Sequence, residues 1–386
     1  MRSIPLKVML VLVATVLLVA DLTGATLLAR AEFNEGTMEP KSMSALTFGP
    51  EGILFIGDSV GAQIFALDTG DRTPAANMDP VAQEADLEGK IGAKLGIPAG
   101  DVLIHDMAVN PISQAIYLTV SRGRGEWNSP FLLPNDLGNA SILLRMDKSG
   151  DFSEVKLNKA RFSVVAVPNP VAAEKEHRWK KTKLRVDAVT DLAFHDNKLY
   201  VAGLSNEEFA STMRVFDFPF KKQNSATQLE IYHGAHGKWE TNSPVRTFLP
   251  LEIEGKQHML AAYLCTPLVS FTMDQFEDGK AVRGKTLAEL GSRNQPLDMI
   301  AYTHKGKTKI ILSNSNRTIM IFDPADIAAQ KEGITTEVDH KAGVPYKDLS
   351  GVQVQQLADF NEKFVVLMQR LPGGKLGLYC YNKDWL

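Results

Sequence analysis

The stretch SALTFGPEGILFIGDSVGAQIFALDTGD, Ser44 to Asp71, decides the fold. It reads as a short strand, a Gly-Pro turn, a β-branched strand, a polar turn and a third strand closing on an aromatic and an Asp. The same phrase recurs as DMAVNPISQAIYLTVS (Asp106 to Ser121) with SILLRMDKSGD (Ser141 to Asp151), and as TDLAFHDNKLYVAGLSNEEFASTMRVFDF (Thr190 to Phe218). Further copies run from Val245 to Asp274, Leu297 to Pro324 and Val354 to Asn382. First strands begin near 44, 106, 191, 246, 298 and 355, a period of roughly fifty residues with insertions in the second and third copies. Four-stranded units at that spacing predict an all-β chain, a single β-propeller of six blades, with seven if an insertion hides a degenerate copy.

The last copy ends after its third strand, so a segment near Glu32 to Met43 is expected to supply the missing outer strand and close the ring. Asp79 to Gly100 reads as a short helix before the second blade, and Asn169 to Arg185 as a charged helical segment before the third.

Ahead of the repeats, Arg2 and Lys7 precede the apolar run Val8 to Ala20, and Ala29 and Ala31 offer the small residues of a cleavage site. This predicts a signal peptide over 1–31 and a propeller over 32–386, periplasmic or secreted, with no membrane span after cleavage. In the 386 residues, a net charge of −3 and no basic stripe exclude a nucleic-acid partner. The two cysteines, Cys265 and Cys380, fall on non-adjacent blades, out of reach of a disulfide. Cys265 ends an apolar strand before a Thr-Pro turn, where a histidine on the same face would serve as base.

Propeller topology makes the residues before each inner strand converge on one mouth of the channel, a place for a small-molecule ligand or a protein partner. His105-Asp106, Thr190-Asp191, Arg246 and Asp298 arrive there, and Asp106, Asp191 and Asp298 hold equivalent positions. Such an Asp can simply pin its blade through backbone N–H groups. Three together repel and call for a cation: Arg122, Arg246, Arg317 or Arg370, or a divalent metal. With Asn294 and Asn314 nearby, oxygen ligands favour Ca²⁺ first, while His105, His233 and His236 would suit a transition metal. The loop HGAHGKWE, His233 to Glu240, lies on the same face, with two imidazoles and a carboxylate free to meet one ion.

The first copy, LTFGPEGILFIGDSVGAQIFALDT, resembles blades of the SMP-30/gluconolactonase and NHL-like six-bladed propellers. That resemblance implies one divalent metal, usually calcium, held in the channel mouth by a Glu, Asn-type groups and an Asp, and hydrolysis of a lactone or phosphoester. Here Ser44 and Ala45 stand where the Glu would be.

Three functions follow as expectations. The first is a metal-dependent hydrolase of a small ester or lactone, with His105, Asp106, Asp191 and Asp298 as ligands or bases and Arg246 stabilising negative charge. The second is a non-catalytic binding propeller, and the third a redox metal protein built on His233, His236 and a thiol.

Overall fold

The computed structural model describes residues 33–123, 140–177, 182–221 and 224–386, so the 1–31 signal-peptide expectation lies outside the described residues. It is a six-bladed β-propeller. The innermost strands are Leu46–Phe48, Val102–Val109, Asp191–His195, Val245–Ile253, Pro296–His304 and Val354–Asp359. Blades are numbered here in the order of these strands. Among the described residues, no helix is long and apolar enough to cross a membrane.

Each blade packs on both neighbours, which is why its middle strands are apolar on both faces. Ile53–Asp58 is buried at every position. Six interblade cores result, one at each seam. Their membership gives the order of blades around the ring as 1, 3, 4, 5, 6, 2. Leu46 and Leu54 of blade 1 share a core with Tyr117 and Leu143 of blade 2. Ile53 and Phe55, on the other face of blade 1, share one with Leu192 and Val201 of blade 3. Blade 2 meets blade 6 through Leu118, Val120, Val366 and Leu378.

The ring order departs from chain order because blade 2 is inserted within blade 1. Gln63–Asp68, the third strand of blade 1, pairs with Ala160–Ala166, which follows all of blade 2 in sequence. Asn34–Gly36 then pairs with the outside of Ala160–Ala166. The N-terminal segment therefore extends blade 1 and does not complete blade 6, as the sequence had suggested. Blade 6 keeps a three-stranded sheet, and its outer edge meets Glu84, which exchanges both backbone hydrogen bonds with Leu378.

The helix expected before blade 2 forms at Leu87–Leu95, N-capped by the Asp86 side chain, which accepts from the Gly89 N–H, and ended by Gly96 at φ 72°. Glu88 on its first turn receives both guanidinium nitrogens of Arg370 from blade 6, at 2.8 and 3.0 Å. This partly exposed pair ties blade 6 to the insertion; Arg370→Ala is expected to cost about 1 kcal/mol in urea denaturation. A change well below that would mean the insertion is held on blade 6 by the packing of Leu87 and Ile91, the Glu84–Leu378 backbone pair and the Asp86–Lys375 ion pair without help from Arg370.

The helix expected over Asn169 to Arg185 is absent from the described part. Glu176 instead bridges to Lys183, whose Nζ reaches Glu174 and Glu176, and a 3-10 turn follows at Leu184–Asp187. Cross-strand pairing of opposite charges has overridden the local helix propensity.

Candidate functional site

Four inner strands carry a β-bulge at the residue before the channel position: His105, Arg246, Leu297 and Gln355. A bulge adds one residue and re-aims its neighbours, which here brings side chains to the axis. The outcome is a cavity of about 80 Å³ lined by Asp106, Asp191, Asp298, His105 and Arg246, among others, with Val186, Asp187, Val189 and Thr190 from the connection into blade 3. Five of the residues singled out in the sequence thus meet in one place.

Because of the ring order, the three aspartates sit on alternate blades, 2, 3 and 5. Each makes the same pair of bonds. One oxygen accepts the N–H of the next residue: Met107, Leu192 or Met299, at 2.8, 2.8 and 2.7 Å. The other accepts an N–H from the neighbouring inner strand: Leu46, Phe248 or Leu357, at 2.6, 2.8 and 2.6 Å. These bonds staple blade 2 to 1, 3 to 4 and 5 to 6. They also leave further lone pairs on every carboxylate.

Burial raises the Asp106 pKa well above the usual range, and repulsion from Asp298 and Asp191 adds to it. Burial and Asp298 push Asp191 up to about 7. Asp298 is raised by burial, against which its two backbone bonds and Arg246 act. His105 is pushed down to about 4 by burial and holds Ser121 Oγ at 2.5 Å. Thr190 Oγ1, a buried atom in a cavity-lining residue, has no hydrogen-bond partner among the described residues.

Of the four arginines considered as counter-charges, only Arg246 lines the cavity. Arg370 is turned to Glu88, and Arg317 donates to the Asn316 and Ser292 carbonyls. Asn294 and Asn314 are not cavity residues either: they are buried and bonded to each other at 2.7 Å.

A different constellation forms at the outer seam of blades 3 and 4. HGAHGKWE folds into a hairpin: His233 ends the strand Asn224–His233, Gly234–His236 makes a 3-10 turn, and Lys238–Glu240 pairs back along it. Gly237 takes φ 61° to close the turn. A side chain at Gly234 would strike Val338 and Glu289.

The hairpin brings His233 and His236 together, with ring centroids 3.9 Å apart. Glu240 holds both, Nδ1 of His233 at 3.1 Å and Nδ1 of His236 at 2.7 Å. Cys265, at the turn before Pro267–Thr272 of blade 4, completes a group whose ligand atoms lie within 4.8 Å of one another. Burial lowers the His233 pKa, but Cys265 and Glu240 outweigh it and raise it to about 10. Burial likewise raises Glu240, and its two histidine partners more than offset this, holding it at about 2. Sequence reading made this loop a companion of His105; the two groups share no residue, and His233 and His236 do not line the channel cavity. The contribution of Glu289, whose carboxylate receives Gly234 N–H and Thr266 Oγ1 beside His233, carried no signal in the sequence. Both cysteines are unpaired.

No family model matches the chain, and no curated protein matches it. Solved structures that align with the chain include one of the mitotic checkpoint complex, 6% identical over 91% of this chain and 90% of that one, with TM-score 0.33. Another is the extracellular domain of the hybrid two-component system BT4673 from B. thetaiotaomicron, 10% identical, TM-score 0.31, covering 92% of this chain and 40% of that one. A third is the dihydro-heme d1 dehydrogenase NirN in complex with DHE, 10% identical, TM-score 0.32, covering 89% of this chain and 55% of that one. At these values the likenesses carry nothing about chemistry.

Proposed function

We propose that this propeller is a binding protein whose channel mouth seats one hard divalent cation, Ca²⁺ first, and that the cation organises this face for a small ligand or protein partner. The observation that carries the reading is the meeting of Asp106, Asp191 and Asp298 in a cavity that, among the described lysines and arginines, Arg246 alone lines. Ionised together, three carboxylates against one guanidinium leave an uncompensated buried charge of about −2, which a divalent ion would cancel. The free carboxylate lone pairs and Thr190 Oγ1 are the all-oxygen donor set that Ca²⁺ takes.

The cavity volume favours binding over catalysis. About 80 Å³ accommodates an ion with a water or two, whereas small-molecule pockets run to roughly 300–1,000 Å³. Hydrolysis of a small ester or lactone, the chemistry implied by the SMP-30/gluconolactonase resemblance, is the second reading. His105 and Arg246 on the same cavity favour it. It requires the 186–190 connection to open. A panel of lactones and esters assayed with and without Ca²⁺ tests it, and calcium-dependent turnover would put catalysis first.

Calorimetric titration of the mature protein with Ca²⁺ tests the cation seat. One equivalent should bind, with affinity reduced at least about tenfold in Asp191→Asn, the loss expected when one ligand is neutralised. Absence of binding, or an unchanged affinity in the variant, would remove the proposal.

The raised carboxylate pKa values give a second expectation. In the cation-free protein, Asp191 titrates near 7 when folded and near its ordinary 3.8 when unfolded. Between those values the folded state holds more protons, so stability present at low pH is lost as pH rises through about 7. In chelator, the melting temperature should therefore fall between pH 5 and pH 8, and Ca²⁺ should restore most of that loss at pH 8. An equal calcium effect at both pH values would count against coupling through the aspartates.

A further inference from the structure

From the hairpin at the seam of blades 3 and 4, we infer a second, separate metal site: a divalent transition cation of the zinc class, bound by His233, His236 and Cys265. Both Nδ1 atoms are engaged by the two oxygens of Glu240, at 3.1 and 2.7 Å, so a metal would bind through Nε2, where His233 now shares a hydrogen bond with Thr266 Oγ1 at 3.1 Å that the ion would replace. A carboxylate on the far nitrogen is the usual support of a metal-bound histidine, and one Glu here supports two. The thiol comes from a different blade, and the three ligand atoms already lie within 4.8 Å of one another. Zinc bonds of about 2.0–2.3 Å at tetrahedral angles need ligand separations of roughly 3.3–3.8 Å, so a closure of about 1 Å completes the set.

A thiol nucleophile with His233 as base and Glu240 as orienter would use the same atoms. That chemistry needs one imidazole. The second, His236, is held by the same carboxylate with its ring 3.9 Å from the first, an arrangement that serves a cation and adds nothing to a nucleophile. Two imidazoles and a thiolate also specify the metal class, since a hard ion such as Ca²⁺ prefers oxygen. His233 is fully buried and His236 is exposed, so the metal would be anchored on the protein side and would present a coordination position to solvent. Glu289, buried, accepts from Gly234 N–H at 2.6 Å and from Thr266, and its nearer oxygen lies 3.9 Å from His233 Nε2. It stands beside the site as a fourth ligand or as the acceptor of a proton from metal-bound water.

Titration of the metal-free full chain with Co²⁺, a spectroscopic substitute for zinc, tests the site. One equivalent should bind and produce a thiolate-to-metal charge-transfer band that Zn²⁺ displaces. The band should vanish in Cys265→Ser. Zinc affinity should fall at least about tenfold in His236→Ala, an exposed position where folding is not at stake, and about 10–100-fold in Glu240→Ala. Alkylation by iodoacetamide gives an independent readout: Zn²⁺ should protect Cys265, with buried Cys380 unreactive in either state. Cobalt binding without the sulfur band, zinc affinity indifferent to His236→Ala, or a Cys265 that alkylates equally with and without zinc would each overturn the inference.

Discussion

Asp298→Ala is expected to destabilise the fold by about 2–4 kcal/mol and to abolish calcium binding at the channel mouth. The stability loss follows from two N–H groups, of Met299 and Leu357, that lose the Asp298 carboxylate as acceptor, each worth about 1–3 kcal/mol when left unpaired. Relief of repulsion with Asp106 works in the opposite direction, so the cost should be larger at pH 5, where the carboxylates are more protonated, than at pH 8 in chelator. Urea denaturation at both pH values reads the two effects separately. A cost under about 1 kcal/mol at pH 5 would show that blades 5 and 6 are not stapled by this carboxylate.

Arg214→Ala is the other substitution with a large expected effect, about 3–5 kcal/mol. Arg214 is fully buried and donates to three carbonyls, Pro168 at 3.2 Å, Ala188 at 3.3 Å and Leu204 at 3.0 Å. Among the described residues no carboxylate pairs with it, and burial lowers its pKa to about 10. Removing it orphans three acceptors and leaves a void. Lysine cannot span the three carbonyls with one ammonium, so Arg214→Lys should recover less than half of the loss.

The residue also bears on function. Ala188 belongs to the connection whose Val189 and Thr190 wall the cavity, and Ser59 grips the same turn, bonding to the Val189 carbonyl at 2.8 Å. Arg214→Ala should therefore weaken calcium binding without touching the ion. A variant that unfolds more easily yet binds calcium with unchanged affinity would show that the connection holds its position independently.

The blades were legible because their signals are local. Turn residues at fixed offsets and β-branched runs of strand length survive in every copy, and the equivalence of Asp106, Asp191 and Asp298 could be read directly from it. The ring order was not legible. It depends on Gln63–Asp68 waiting for Ala160–Ala166, a pairing across the whole of blade 2 that leaves no mark on either strand. The alternation of the aspartates around the axis was hidden for the same reason.

Asn294 and Asn314 looked like ligands in sequence because each stands near a channel-face turn, but they are used in bonds to each other and to the backbone of Thr318 and Asn316. HGAHGKWE carried its two histidines and Glu240 in plain view, and a thiol partner was expected for them; that this thiol is Cys265, on the turn between the second and third strands of blade 4, rests on the packing of blade 3 against blade 4.

The most direct test of the cation seat is anomalous diffraction from crystals of the protein soaked in Mn²⁺, an oxygen-seeking ion that scatters strongly enough to be located. One peak is expected in the channel mouth, within bonding distance of carboxylate oxygens from Asp106, Asp191 and Asp298. A channel that shows only water between those three carboxylates, under conditions where manganese is bound elsewhere on the chain, would contradict it.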